Sequence, residues 1–112
     1  MDYLRRVIAG VPVEGPGFRW TDILAALRVV AGDGSEDAVA LLRRMLDFDG
    51  ELMLDEESSL PHSMSPEDML RSLALQALAK RDREKHRDAI KRVAESPECS
   101  EHLRGIAYKL LA

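Results

Sequence analysis

Leu70-Arg71-Ser72-Leu73-Ala74, with Leu78-Ala79 behind it, returns as Leu103-Arg104-Gly105-Ile106-Ala107 followed by Leu111-Ala112. The offset is a constant 33 residues, and a Ser-Pro-Glu triplet precedes each copy (Ser65-Pro66-Glu67 and Ser96-Pro97-Glu98). Leu70, Leu73 and Ala74, like Leu103, Ile106 and Ala107, recur at steps of three and four, the spacing of one face of an α-helix. A segment repeated at such a period is a supersecondary unit that buries its apolar side only against the next unit. The echo therefore predicts two neighbouring helices in equivalent positions along a stack.

The same periodicity extends to both sides of the echo. Ser65 caps a helix with Pro66 at its first position, where no backbone donor is needed. In that helix Met69, Leu70, Leu73, Ala74, Ala77 and Leu78 cover about half the circumference, and Leu75 widens it. So broad an apolar surface requires neighbours on more than one side. Asp82 is placed to cap the next helix, whose narrow stripe of Ala89, Ile90, Val93 and Ala94 is surrounded by charge. Glu84–Arg87 and Asp88–Arg92 have the spacing of attracting pairs on that helix, and Glu84–Asp88 that of a repelling one. The last helix starts at Pro97 or after Ser100 and presents Leu103, Ile106, Ala107, Leu110 and Leu111 to its neighbours.

Upstream, Thr21 is read as the cap of a helix that buries Ile23, Leu24, Leu27, Val30 and Ala31. Gly32-Asp33-Gly34 turns the chain, and Ser35 caps a helix from Glu36 to about Asp47 whose inner side holds Ala38, Val39, Leu41, Leu42, Met45 and Leu46. Helix, short turn, helix: an antiparallel hairpin. A shorter helix through Tyr3, Leu4, Val7 and Ile8 ends near Gly10, ahead of Pro12 and an ordered loop over Val11–Gly17. Phe18 and Trp20 are expected to staple the following helix to the core. Phe48–Met64 is the one long irregular stretch. It is acidic at Asp49, Glu51, Asp55, Glu56 and Glu57, then rich in turn residues, with Leu52, Leu54 and Leu60 pinning it to the body. Loops of that length are uncommon in compact domains and are usually functional.

The 112 residues suffice for one core. Aromatic residues make up only 4%, so that core is built from Leu, Ala, Val, Ile and Met, which suits close helix packing better than a β-sandwich. A net charge of −4 argues against a dedicated nucleic-acid binder, which needs uncompensated cations. Residues 1–56 carry six Arg and eleven acids, whereas residues 57–112 carry ten Lys or Arg and nine acids, so the acidity lies in the first half. Cys99 stands alone, and the sequence shows neither a basic and apolar leader nor an apolar run near the ~20 residues of a membrane span. The expected location is the cytoplasm.

Helix hairpins with an Ala-rich first member, the Leu-Arg-x-(Leu/Ile)-Ala core and a polar second helix resemble HEAT or armadillo-type α-solenoid repeats. Ala25-Ala26-Leu27-Arg28-Val29-Val30-Ala31-Gly32-Asp33-Gly34-Ser35-Glu36-Asp37-Ala38-Val39 is similar to a HEAT hairpin, including its short Gly-Asp turn. The likeness spans about 21–47 and 65–112. It departs from the family where the stretch 48–64 separates the hairpins and where the last unit has only its first helix. What the resemblance implies is an all-α, short right-handed α-solenoid in one domain: hairpin 21–47, loop 48–64, hairpin 65–95 and a terminal half-repeat 97–112. Five main helices are expected, with a sixth at the N-terminus. By the habits of such repeats the chain is a non-enzymatic protein-binding scaffold with no cofactor. Its partner-facing residues are Arg83, Arg87 and Lys91 on the second helix, with Tyr108 and Leu111 on an unmated last helix that also offers a homodimer contact.

Other chemistry finds less support in the residues. Asp47, Asp49, Gly50 and Glu56 suit positions 3, 5, 6 and 12 of a calcium loop, but Met45 then takes position 1, where a hard cation needs oxygen. Cys99 and His102 stand three apart without the second ligand pair that zinc requires. Ser58, Ser59, Ser63 and Ser65 flank His62 without a nucleophile elbow, and Gly15-Pro16-Gly17 lacks the Lys of a phosphate loop. Lys80 to Arg92 holds seven cations and three acids, a run better explained as a solvated helix face than as a nucleic-acid surface. Two further readings remain open: an immunity or antitoxin-like partner, and a small enzyme or metal-responsive sensor using the acidic 48–64 loop.

Overall fold

The computed structural model describes residues 2–9, 18–48 and 65–112. Among these the chain forms six α-helices and no strand: α1 (Asp2–Ala9), α2 (Trp20–Gly32), α3 (Glu36–Leu46), α4 (Pro66–Asp82), α5 (Arg87–Glu95) and α6 (Glu101–Leu111). The loop expected over Val11–Gly17, the calcium-loop alignment beyond Phe48, and His62 with its flanking serines before Ser65 lie outside the described residues.

Three helices start where a serine is placed to start them. Ser35, Ser65 and Ser100 sit in extended backbone, and each hydroxyl accepts the N–H three residues on, from Ala38, Asp68 and Leu103 at 3.2 Å. The other expected starts move. α2 begins at Trp20, with Arg19 rather than Thr21 in the capping position and no side chain closing the end. Burying the indole on the first turn outweighs the ~1 kcal/mol that a threonine cap supplies. Asp82 ends α4 instead of opening α5. The backbone stays helical through Arg83, the His86 N–H bonds the Asp82 carbonyl, and the Asp82 carboxylate accepts the Lys85 N–H at 3.1 Å. The second Ser-Pro-Glu is not a helix start either: Ser96 closes α5, and Ser100 opens α6. The triplets stand 31 residues apart while the leucines stand 33 apart, which is why only the apolar positions keep register.

α4 is the centre of the molecule and touches α2, α3, α5 and α6. That explains its wide apolar surface: Leu70, Ala74, Leu75 and Leu78 are sealed, and Met69, Leu73 and Ala77 are half-buried. α6, carrying the second copy of the echo, lies against α4, carrying the first. The closest pairs are α5 with α6 and α3 with α4, whereas α2–α3 and α4–α5 meet less closely. α5 and α6, joined by five residues, pack against each other. Every helix contributes to one core. Phe18 and Trp20 are buried in it as expected, and the Tyr3 ring meets Phe18 edge-on at 5.7 Å.

Asp88 and Arg92 find partners across the structure rather than in each other, while Lys91 pairs along the helix with Glu95. Arg43 reaches Asp88 at 3.4 Å, and Arg92 reaches Asp47 at 2.6 Å. Two ion pairs thus link α5 to α3 and its C-cap. These exposed pairs fix register more than they add stability.

Candidate functional site

Of the five residues singled out for partner binding, Arg87 and Lys91 lie on α5, Arg83 just before it, and Tyr108 and Leu111 on α6. Arg87 and Lys91, four apart, are exposed on α5, whose opposite side (Ala89, Ile90, Val93, Ala94) is buried. Lys91 lies 4.0 Å from Glu95, both well solvated, an interaction of little energy. Arg83 precedes α5 and donates to the Ala112 carbonyl at 3.2 Å, placing a cation at the negative end of α6. That contact brings Arg83 to the end of the chain beside Leu111, which is half-buried against the core. Tyr108 is 59% exposed, and with Val29 at 71% it is one of two large apolar side chains left open among the described residues.

The basic run 80–92 divides by role. Arg81 is spent internally, its Nη2 donating to the Val30, Ala31 and Asp33 carbonyls at the end of α2. Arg92 is held by Asp47, and Arg83 by the last carbonyl. Lys80, Lys85, Arg87 and Lys91 face solvent. The Ala89 N–H, and then the Arg43 guanidinium, hold the Asp88 carboxyl below its usual range.

His86 was not among the residues that sequence reasoning put forward. It stands four before Ile90 and seven before Val93, on the register of the α5 apolar stripe, and that spacing was the available signal. It is 1% exposed, and neither ring nitrogen has a hydrogen-bond partner. Burial pushes its pKa below the ordinary imidazole value; the charges of Arg43 and Lys85 push the same way, against Asp82 and Asp88. The unfolded chain then binds the proton more readily than the fold does. Stability unaffected by this group above about pH 6.5 declines as pH falls below it. Chemical denaturation at pH 7.5 and 5.5 is expected to show that decline in the native chain and a smaller one in His86→Leu.

A smaller cavity, about 230 Å³, lies beside Phe48, Arg71, Arg92 and Cys99. Cys99 is half-buried and His102 exposed; among the described residues no three His, Cys, Asp or Glu side chains gather as a metal ion would require. Among the same residues no helix is long and apolar enough to cross a membrane. No family model matches the chain, and neither a curated protein nor a solved structure matches it.

Proposed function

We propose that this chain is a non-enzymatic, HEAT-like interaction module that holds another protein against the outer face of α5 and the exposed Tyr108 of α6. The observation that carries this reading is the division of the basic run. Arg81, Arg83 and Arg92 are committed to the fold, while Arg87 and Lys91 stand four apart in solvent on a helix whose other side is sealed. Two solvent-facing cations on a helix, one of them only loosely paired with Glu95, suit an acidic surface, and an open tyrosine is a frequent anchor at interfaces.

The packing supports the solenoid part of the proposal. α4 touches both α2 and α6, and two ion pairs link α5 to α3 and its C-cap. This suits one layer of α2, α4 and α6 over a second of α3 and α5. The shortest dimension of 18 Å accommodates two helix layers with axes about 10 Å apart. In such a stack the side of α5 that carries Arg87 and Lys91 is exposed and available to a partner.

The test is affinity capture with the native chain, the double reversal Arg87→Glu/Lys91→Glu, Tyr108→Ala, and Arg28→Glu on α2 as a control of equal charge chemistry elsewhere. One protein retained in equimolar amount by the native chain and by Arg28→Glu is expected. The reversal should weaken that retention at least tenfold, and Tyr108→Ala less. All four proteins should melt within about 2 °C of one another, since exposed substitutions change stability little. Retention unaffected by the reversal overturns the assignment of this face.

A further inference from the structure

α2 buries Trp20, Ile23, Leu27 and Val30 and turns its other side to solvent, where Thr21, Asp22, Ala25, Arg28, Val29 and Gly32 are exposed. At about 3.6 residues per turn, that exposed arc is centred on Ala25. Val29, 71% exposed, is the most open large apolar side chain among the described residues.

The charges of this face are sorted by end. Asp22 lies in the first turn and Arg28 near the last, and among the described residues neither has an ion-pair partner. Beside Arg28 an open groove of about 490 Å³ separates α2 from α4, bordered by Arg28, Ala31 and Gly32 on one helix and by Ala77, Lys80 and Arg81 on the other. Arg81 is turned to the carbonyls ending α2, which leaves Arg28 and Lys80 as the exposed cations of the groove. Among the described residues no carboxylate borders it. This half of the face is complementary to an acid, and an exposed acid is what the other half carries.

The spacing matches the two halves residue by residue. Asp22 and Arg28 stand equally far before and after Ala25, and so do Thr21 and Val29. When two such helices pair antiparallel about a two-fold axis at Ala25, each residue before it comes level with the one equally far after it in the other copy. Asp22 of each copy is then level with Arg28 of the other, and Thr21 with Val29, and the symmetry makes every contact twice. Asp22 and Arg28 lie about 60° to either side of Ala25, at the edges of the contact, where a long guanidinium can cross to the opposite carboxylate. At the centre Ala25 offers only a methyl group, so the axes can approach to about 8 Å. A parallel pair would set Asp22 against Asp22 and Arg28 against Arg28, and repulsion disfavours it.

We infer that α2 is the contact face of a homodimer in which two copies of this chain pair antiparallel about Ala25 and exchange Asp22–Arg28 ion pairs. One helix of 13 residues provides less than the ~800 Å² per partner of a stable interface, so the dimer is weak, with a dissociation constant on the order of 0.1 mM. Arg87, Lys91 and Tyr108 are on other helices, so this face stands whether or not they hold a partner.

Sedimentation velocity of the full chain from about 10 µM to about 1 mM tests the inference. The native chain is expected to pass from monomer to dimer across that range. Arg28→Glu and Asp22→Arg are exposed changes that keep the fold, and each replaces two attractions with two repulsions; each should weaken the dimer at least tenfold. An equimolar mixture of the two variants restores both attractions, Asp22 with Arg28 and the introduced acid with the introduced base. It should associate to within about threefold of the native chain. A native chain that stays monomeric throughout, or a mixture that associates no better than its components, overturns the inference. So does a dimer that survives Arg28→Glu; its loss in Tyr108→Ala would then place the contact on α6.

Discussion

Truncating Leu103 to alanine is expected to cost about 3 kcal/mol of unfolding free energy, within the ~2–5 kcal/mol that a sealed leucine in a packed core carries. Leu103 is 0% exposed and is the first core residue of α6, one turn after the Ser100 cap. The helix has only one other fully buried side chain, Ala107, so no larger neighbour takes over the anchoring. α6 packs against both α5 and α4, so loosening it weakens its contacts with two neighbours. Leu70→Ala, at the echo position on α4 and equally sealed, is expected to cost a similar amount. The informative quantity is the pair. Residues that share one seam couple by about 0.5–3 kcal/mol, whereas independent sites add to within about 0.5 kcal/mol. Urea denaturation followed by the single buried tryptophan, Trp20, gives all four corners of the cycle, read as midpoint shifts at constant slope. Strict additivity would mean that the two copies of the echo do not share a hydrophobic seam.

The helices were legible because the signals that make them are local. Ser35, Ser65 and Ser100 act on an N–H three residues away, and the apolar stripes of α3, α4 and α5 are read off their spacing. The echo was legible for a related reason: identical packing demands similar side chains, so a shared environment leaves a mark in the sequence. Of its flanking Ser-Pro-Glu triplets the first opens α4 as read, whereas the second lies before the start of α6, whose cap is Ser100, the other start the sequence offered.

Charge was the least legible property. Asp88 and Arg92 stand at helical spacing and were read as partners of each other, yet each is held by α3. Nothing within α5 announces which helix will lie alongside it. The same holds for Arg81: as one cation among seven it resembled surface solvation, and only the fold places it under the end of α2. Arg87 and Lys91 were correctly read as outward-facing because a stripe of buried positions fixes its own opposite side. His86 hid in plain register behind two charged neighbours, Lys85 and Arg87, which drew it into the solvated run. Its missing partners are a three-dimensional fact with no counterpart in spacing.

Asp68→Ala is expected to destabilise the fold by about 3 kcal/mol, although it deletes a polar group rather than a core leucine. Asp68 is nearly buried at the start of α4, and its two oxygens serve two elements: one accepts Arg71 Nη1 at 2.6 Å, the other the Ser100 N–H at 3.3 Å. Arg71 in turn donates through Nε to the Phe48 carbonyl at 2.9 Å, just past the end of α3. One carboxylate thereby ties the end of α3, the first turn of α4 and the cap of α6. Its removal leaves a guanidinium only 20% exposed without its anion, and a backbone donor without its acceptor. The loss comes from those stranded groups more than from the missing attraction, because desolvating both ions offsets much of the pair's Coulomb energy. Two further variants separate these causes. Asp68→Asn keeps an acceptor oxygen and is expected to recover about half the loss. Asp68→Leu/Arg71→Met strands no charge and is expected to lie closer to the native chain than Asp68→Ala alone. On a chain of this length about 3 kcal/mol is a fall of roughly 10–15 °C in melting temperature, which calorimetry resolves easily. A fall under 2 °C for Asp68→Ala would mean that the three helix ends are held by their apolar contacts alone.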